Sequence, residues 1–322
     1  MRRETVDILI CGGGLAGLVC AAALDAAGYT VLLVDPAPAQ NDTSRGKPDQ
    51  RSTAFLRPAQ ALFDDIGLWP ELSRHGMAMR ALRIVDTAGD PPRVRGERQF
   101  DADETGDAPL GWNFQNPVIR AALLSHLAGK PGFVLRYGTG FASMTCRTSG
   151  AIVTLSDNSR IEAALVIGAD GRWSAVREAA GIGAKTIRYG QKSIACTATH
   201  AHAHDFVSTE IYHTGGPFTM VPLADIAGKP ASAIVWMNPG RKAHELAALP
   251  PREFGAAMTR RSAGLFGAMQ LVSERALWPI VSMRAARLVG ERSALIAEAA
   301  HVLPPIGAQG LNTSLNDIAA LI

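Results

Sequence analysis

Cysteines are few in this chain, and long apolar runs are missing. Its four cysteines among 322 residues form no CxxC pair and no zinc-like spacing, so they indicate neither a metal site nor a disulfide framework. No segment approaches the roughly 18 consecutive apolar residues that a membrane-spanning helix requires. These absences predict a soluble, cytoplasmic protein without a metal, for which peripheral contact with the inner membrane stays open.

The chain also lacks a large excess of positive or negative charge. The formal net charge is +3, and no basic run or basic stripe stands out, which argues against a nucleic-acid partner. Apolar residues make up 47% and charged residues 19% of the chain, a balance that is typical of globular proteins and not of disordered ones. The length is sufficient for one large core or for two interleaved domains.

The N-terminal segment predicts a strand, a turn and a helix, followed by a second strand. Val6–Cys11 is a short apolar run, and Leu15–Ala27 is an alanine-rich stretch that Gly28 would end. Tyr29–Val34 then has the composition of a buried strand. This order is that of a Rossmann-type βαβ unit.

The turn of this unit has the sequence GGGLAG and fits the pattern G-x-G-x-x-G. Gly12 would permit the tight turn, Gly14 would let the backbone approach a pyrophosphate, and Gly17 would let the helix pack on the sheet. Asp35 ends the second strand, where a carboxylate commonly binds a ribose hydroxyl. A glycine-rich turn without a ligand is the alternative, and the motif alone does not separate FAD from NAD.

Two further motifs follow much later in the chain. Asp170-Gly171 comes after a predicted strand, Leu165–Gly168, and before a predicted helix that opens at Ser174. Beyond residue 297, Glu298 ends a strand, a Pro/Gly-rich turn follows, and Gly310 opens the last helix. A carboxylate beside a helix N-terminus can hold the hydroxyl groups and the anionic parts of one ligand.

These three motifs, in this order, resemble the group A flavin monooxygenases of the para-hydroxybenzoate hydroxylase type. Among them the chain is most similar to the ubiquinone-biosynthesis hydroxylases, over essentially its whole length. The resemblance implies that FAD is bound and that NAD(P)H is a transient co-substrate. The cofactor-binding residues that it implies are Gly12, Gly14, Leu15, Ala16, Gly17, Asp35, Arg51, Gln115, Asp170, Gly171, Glu298, Pro305, Gly310, Leu311 and Asn312.

Several of these residues carry specific implied roles. Asp170 matches a motif associated with both FAD and NAD(P)H, and Glu298 matches the acidic residue that binds the ribityl chain. The helix that begins at Gly310 would stabilise negative charge on the reduced flavin ring. For Arg51 a simple surface ion pair is the alternative. Ala297 departs from the family pattern, which usually has glycine there, as do Thr313 and Asn316.

The implied activity is hydroxylation of an aromatic substrate, a phenol that fits a prenylated ubiquinone precursor. In the family, NAD(P)H reduces FAD, O2 adds to give the flavin C4a-hydroperoxide, and its distal oxygen is transferred to the ring. The implied partners are thus a small aromatic molecule and O2, while a homo-oligomer or a biosynthetic complex stays open. No residue of the sequence identifies a catalytic base.

Two alternatives to this activity remain. An FAD-dependent reductase or dehydrogenase on the same scaffold would carry the same fingerprint. The family normally continues through several C-terminal helices beyond the position of Ile322, so an accessory subunit with weak or no FAD binding is the other alternative.

The expected fold is therefore α/β. A Rossmann-like FAD/NAD(P)-binding domain would consist of residues 1–79, 110–184 and 283–322, with a mainly β substrate domain inserted as residues 80–109 and 185–282. Locally, the sequence predicts helix over Ser52–Leu72 and Arg252–Gln270 and antiparallel strands over Phe133–Val166. Three alternating histidines are expected on the partly exposed face of one strand, namely His200, His202 and His204.

Overall fold

The computed structural model describes residues 4–38, 51–106 and 109–322. Within these ranges the strands, numbered β1 to β20 in chain order, are Glu4–Cys11, Val31–Asp35, Ser52–Leu56, Met77–Met79, Ala81–Ala88, Arg93–Asp101, Gly111–Gln115, Phe133–Tyr137, Phe141–Arg147, Gly150–Leu155, Arg160–Gly168, Ala184–His200, Val207–Tyr212, Phe218–Ile226, Lys229–Pro239, Met269–Leu271, Ala276–Ala285, Val289–Gly290, Ser293–Leu295 and His301–Val302. The helices α1 to α9 are Leu15–Ala26, Arg57–Asp65, Trp69–Leu72, Asn116–Leu127, Ala175–Ala179, Gly240–Ala248, Pro251–Arg261, Ala297–Ala300 and Gln309–Leu321. Short 3-10 helices span Ser73–His75 and Ala102–Thr105.

The first sheet is of the Rossmann type. Its strands lie in the order β18-β19-β11-β1-β2-β8, and the pairs from β19 to β8 are parallel. Strands β10 and β9 extend it as an antiparallel hairpin beside β11. Because β1 and β2 are covered on both faces, their apolar residues run almost without interruption. One apolar core joins these strands to α1, α2, α4 and α9.

The second sheet is mainly antiparallel and lies in the order β20-β17-β12-β15-β14-β13-β5-β6, with β16 beside β12. A separate apolar core, which contains Phe218, Trp236 and Phe254, joins one of its faces to α6 and α7. A small antiparallel sheet, β3-β7-β4, connects the two parts of the molecule. The α/β fold class expected from the sequence is confirmed.

The division into domains stays a prediction, but the positions of the strands can be compared with it. Residues 80–109 contribute β5 and β6, and residues 185–282 contribute most of the remaining second sheet. Strand β20 lies outside both ranges and yet pairs with β17, where Met283 lies opposite Val302. The last predicted segment of the FAD domain therefore also contributes to the second sheet.

Three local predictions are wrong. Ser52–Leu56 is strand and not helix, because it pairs with β7, and pairing with a distant segment overrides local helix propensity. Phe133–Tyr137 is parallel to β2, so the antiparallel part begins only at β9. The helix expected over Arg252–Gln270 ends at Arg261, shortly before Ala263 and Gly264, which both have positive φ.

The histidine prediction is also wrong. Strand β12 ends at His200, which is buried, whereas His202 and His204 lie in the segment that follows the strand. The ring nitrogens of His200 lie 2.6 Å from the carbonyl oxygen of His202 and 3.0 Å from the hydroxyl oxygen of Ser232. These histidines therefore do not present one face of a strand.

No helix in the described ranges is long and apolar enough to cross a membrane.

Candidate functional site

The three glycine- or acid-containing motifs meet at one edge of the first sheet. The last residues of three adjacent parallel strands lie side by side, since Cys11 is paired with Gly168, and Gly168 with Leu295. Each strand end leads directly into one of the motifs. In open parallel sheets, ligands bind outside the carboxyl ends of the strands, so this edge is the candidate site.

A cleft of about 740 Å³ opens at this edge. Residues that were singled out from the sequence and that line it are Gly14, Leu15, Ala16, Gly17, Arg51, Gly171, Glu298, Gly310 and Leu311. They come from five separate segments of the chain, so the fold brings most of the expected set together.

Glycine is present at three positions of the first motif for different structural reasons. Gly12 has φ +114°, and a Cβ built on it would lie 2.2 Å from the carbonyl oxygen of Ala169. A Cβ on Gly17 would lie 1.9 Å from the carbonyl oxygen of Gly12. By contrast, a Cβ on Gly14 would meet no atom within 4 Å, because this residue faces the cleft. Gly12 and Gly17 thus let the backbone pack closely, while Gly14 keeps the cleft open.

Two of the helices that begin at the cleft, α1 and α9, have first turns without a side-chain cap. No side chain caps the N-terminus of α1 at Gly14, and none caps that of α9 at Ala308. Free N–H groups and the helix dipole make such ends favourable for anionic groups. The cleft therefore offers two such ends to one elongated ligand.

Other predicted residues lie beside the cleft without lining it. The carboxylate of Asp35 accepts hydrogen bonds from the backbone N–H groups of Gly13 (2.6 Å) and Ala37 (2.7 Å). Asp170 accepts one from the N–H of Val176 at 3.1 Å, while its Oδ1 is buried and has no partner among the described residues. A buried acceptor without a partner fits a site that a hydroxyl-bearing ligand or water completes.

The remaining predicted residues have three different positions. Asn312 is buried, and its amide bonds the backbone of Leu56, Ala54 and Ala308, so it fixes α9 against β3. Pro305 lines a second cavity instead of the cleft. Gln115 is exposed at the start of α4, and only its neighbours, such as Asn116, line the cleft.

Arg120 lies on α4 and lines the cleft, although no motif in the sequence pointed to it. Its guanidinium donates hydrogen bonds to the carbonyl oxygen of Gly13 at 2.6 Å and to the hydroxyl of Tyr137 at 3.0 Å. This places a cation beside the glycine turn. Asn116 and Arg120 are four residues apart, so their shared helix face was the signal that could have found this residue.

Two more cations lie along the cleft. Arg172 lies 3.4 Å from a carboxylate oxygen of Glu298 (Nε to Oε2), a contact that joins the second and third motifs. The guanidinium carbon of Arg51 lies 4.6 Å from the ring centroid of Trp278 on β17. Trp278 lines both the cleft and the second cavity. Its position in the second sheet carried no signal in the sequence.

The turn after β19 is held by one acidic side chain of α9. Asp317 accepts a hydrogen bond from the backbone N–H of Ala297 at 3.2 Å and lies 2.6 Å from Nε2 of His301. Ala297 itself has φ +54°, a conformation that favours glycine. A glycine at this position would adopt this conformation without strain.

A second, inner cavity of about 220 Å³ adjoins the cleft. Its floor is the second sheet, at Ala195, Ala233 and Val235, and Leu303 and Pro305 line it from the segment between β20 and α9. Arg51, Arg172, Trp278 and Glu298 border both the cleft and this cavity. The arrangement can hold a long cofactor in the cleft and a small, mostly apolar molecule beside its inner end.

The sequence matches the FAD binding domain family over residues 5–322. It is 34% identical over 318 residues to the ubiquinone hydroxylase UbiL of Rhodospirillum rubrum, covering 99% of this chain and 72% of that protein. It is also 26% identical over 323 residues to the 3-demethoxyubiquinol 3-hydroxylase of Escherichia coli, covering all of this chain and 80% of that protein.

Solved structures with the same fold include pqsL, a probable FAD-dependent monooxygenase from Pseudomonas aeruginosa. It superposes with a TM-score of 0.81 at 21% identity, over 99% of this chain and 85% of that one. The p-nitrophenol 4-monooxygenase PnpA from Pseudomonas putida superposes with a TM-score of 0.77 at 18% identity, over 99% and 79% of the two chains. At these identities the likeness concerns the fold.

Proposed function

The chain belongs to the FAD-binding family of flavin-dependent aromatic hydroxylases, and on this premise we propose that it hydroxylates a prenylated phenol of the ubiquinone-precursor type with NAD(P)H and O2. The observation that carries the proposal is the pairing of the cleft with the inner cavity. One compartment suits a dinucleotide, and the other suits an aromatic ring at its inner end.

The charges and hydrogen-bond donors beside the cleft favour FAD. The N-terminus of α1 and the nearby Arg120 would hold the diphosphate, because both offer N–H donors beside the open Gly14. Glu298 would accept hydrogen bonds from the ribityl hydroxyls, and the N-terminus of α9 at Gly310 would face the flavin ring. When bound, FAD supplies the redox chemistry, taking electrons from NAD(P)H and activating O2 for oxygen transfer.

The inner cavity favours an uncharged ring. Its described lining is mainly aliphatic on the side of the second sheet, and its charged members lie on the side shared with the cleft. Pro279, Ile280 and Val281 line this cavity and also an outer one of about 280 Å³ that opens beside Trp173. An apolar tail on the ring could follow these residues outward, which supports a prenylated substrate.

The test begins with the purified protein. We expect bound FAD near one per chain and oxidation of NAD(P)H that a phenol with a short prenyl tail accelerates. We also expect hydroxylated product, in an amount comparable with the NAD(P)H consumed. Ala233→Phe, which fills the floor of the inner cavity, should abolish product formation while FAD remains bound.

The alternatives predict different results. A reductase would oxidise NAD(P)H without incorporating oxygen from labelled O2 into the phenol. An accessory subunit would contain no stoichiometric flavin after purification or after reconstitution with excess FAD. Either result would contradict the proposed hydroxylase.

A further inference from the structure

The segment between β20 and α9, residues 303–308, crosses the face of the second sheet; we call it the strap. It leaves β20 at the edge of the sheet, and Leu303 and Pro305 line the inner cavity above β12 and β15. At its far end, the backbone N–H of Gly307 reaches Glu210 on β13. The strap therefore roofs part of the inner cavity, and its first residue, Leu303, lines the cleft as well.

Glu210 is the point at which the strap meets the sheet. Its Oε1 accepts the hydrogen bond from Gly307 at 3.3 Å, and its Oε2 accepts one from the hydroxyl of Tyr212 at 2.8 Å. The two side chains project from the same face of β13, since they are two residues apart on one strand. Burial, together with the hydrogen bond to Glu210, raises the pKa of Tyr212 to about 12, so its hydroxyl remains a donor.

The environment of Glu210 indicates that its carboxylate serves to accept hydrogen bonds and not merely to fill space in the core. The residue is 6% exposed, and among the described residues no cation lies within ion-pair distance of its carboxylate. Burying a carboxylate is costly unless hydrogen bonds compensate for the lost water. Here the compensating donors are the strap, at Oε1, and Tyr212, at Oε2, so Oε1 loses its donor when the strap leaves the sheet.

Among the described residues the strap has further attachments, and none of them joins its middle to the second sheet. One is the side-chain amide of Gln309 on α9, which donates a hydrogen bond to the carbonyl oxygen of Gly307 at 3.0 Å. Strand β20 pairs with β17 at Val302, before the strap begins. Asn312 donates a hydrogen bond to the carbonyl oxygen of Ala308 at 2.7 Å, where α9 begins. Ile306 is 40% exposed. Glu210 is therefore the side chain of the second sheet that holds the strap between these ends.

We propose that Glu210 is a positioning residue, which holds the strap down on the second sheet and so shapes the roof of the inner cavity. Its catalytic consequence rests on the proposed function, because the strap would align a phenol in that cavity with the flavin ring in the cleft. Glu210 does not line the cavity itself, so it acts through Gly307 and not by touching the substrate.

The first experiment measures the strap directly. The FAD-loaded protein is digested briefly with a protease that cleaves on the amino side of large apolar residues, and cleavage before Leu303 and Ile306 is followed by mass spectrometry. Glu210→Leu removes both acceptors at similar volume and should raise strap cleavage about tenfold over cleavage elsewhere. Glu210→Gln keeps an acceptor for Gly307 and should remain close to the wild type.

Tyr212→Phe is the matched control, because it removes a partner of Glu210 but leaves the bond to the strap. We expect its strap cleavage to follow the wild type. If Glu210→Leu does not fold, Glu210→Ala gives the same comparison. Unchanged strap cleavage in the apolar variant would overturn the proposal, and so would an increase that is equal at all cleavage sites.

The second experiment separates binding from chemistry. With the phenol as varied substrate, Glu210→Leu should raise KM about tenfold and lower kcat less, while FAD stays bound at one per chain. Glu210→Gln should restore KM. An unchanged KM would refute the catalytic consequence. A wild-type protein without flavin would instead refute the proposed function, and strap cleavage would still decide the role of Glu210.

Discussion

Ala308 is held in a conformation that a side chain disfavours, and replacing it with glycine tests the geometry at the start of α9. Its φ and ψ are +54° and +24°, and it occupies the N-cap position of α9. The left-handed conformation costs a residue with a Cβ about 1–2 kcal/mol. Glycine also increases the conformational entropy of the unfolded chain, which destabilises the folded protein by about 0.4–1 kcal/mol. We therefore expect Ala308→Gly to stabilise the protein by about 0.5–1 kcal/mol.

The assay is thermal unfolding of the flavin-free protein, followed by circular dichroism. In a chain of this size, a gain of that order should raise the midpoint by roughly 1–3 °C. Ala319→Gly is the control, because Ala319 is exposed in the last turn of α9. There the same substitution should destabilise the protein, by at most about 1 kcal/mol. If both variants lower the midpoint alike, the left-handed conformation at Ala308 is wrong.

Three further predictions concern the cleft and the second sheet. Gly14→Val should leave the fold intact and abolish FAD binding, whereas Gly17→Val should prevent folding because its Cβ would lie 1.9 Å from a backbone oxygen. Circular dichroism reports folding and flavin content reports FAD binding, so the two variants can be distinguished. A folded Gly14→Val protein that still binds flavin would contradict the placement of the diphosphate. Glu298→Ala should weaken FAD binding by about 1–3 kcal/mol through lost hydrogen bonds, to be measured by flavin fluorescence titration, with unchanged affinity removing Glu298 from the site. Burial lowers the pKa of His200, so the folded state disfavours its charged form and stability should fall as the pH drops below about 6.5. Urea unfolding at several pH values between about 5 and 8, the range in which histidine titrates, measures the free energy of unfolding. His200→Gln should make this free energy less dependent on pH, and an unchanged slope would show that another group is responsible.

The cofactor edge of the fold could be predicted from the sequence because its requirements are local. A turn such as that at Gly12 needs a positive φ, and the approach at Gly17 leaves no room for a Cβ, so glycine is required in a fixed pattern. Strand ends that carry Asp170 and Glu298 then meet because parallel strands share one carboxyl edge. These constraints are visible within a few residues of each motif.

The missed features depend on partners that are distant in sequence. Ser52–Leu56 becomes a strand only through pairing with β7, about sixty residues later. Trp278 and Glu210 belong to ordinary strands, and their positions beside the cleft and the strap follow from how the second sheet meets the first. The positive φ of Ala297 is likewise imposed by its surroundings and has no signature in an alanine.

The bonds of Asn312 to the backbone of Ala54 and Leu56 join residues that are 258 and 256 apart in the chain. At roughly 5–20 residues per second, ribosomal synthesis needs about 13 to 50 s to cover that separation. Throughout this interval the apolar core of the first sheet lacks Leu315 and Ile318, the buried side chains that α9 contributes to it. The part of the nascent chain that precedes α9 therefore exposes apolar surface until α9 has been synthesised. The yield of folded protein in the cell should depend on chaperones that protect this surface during that time.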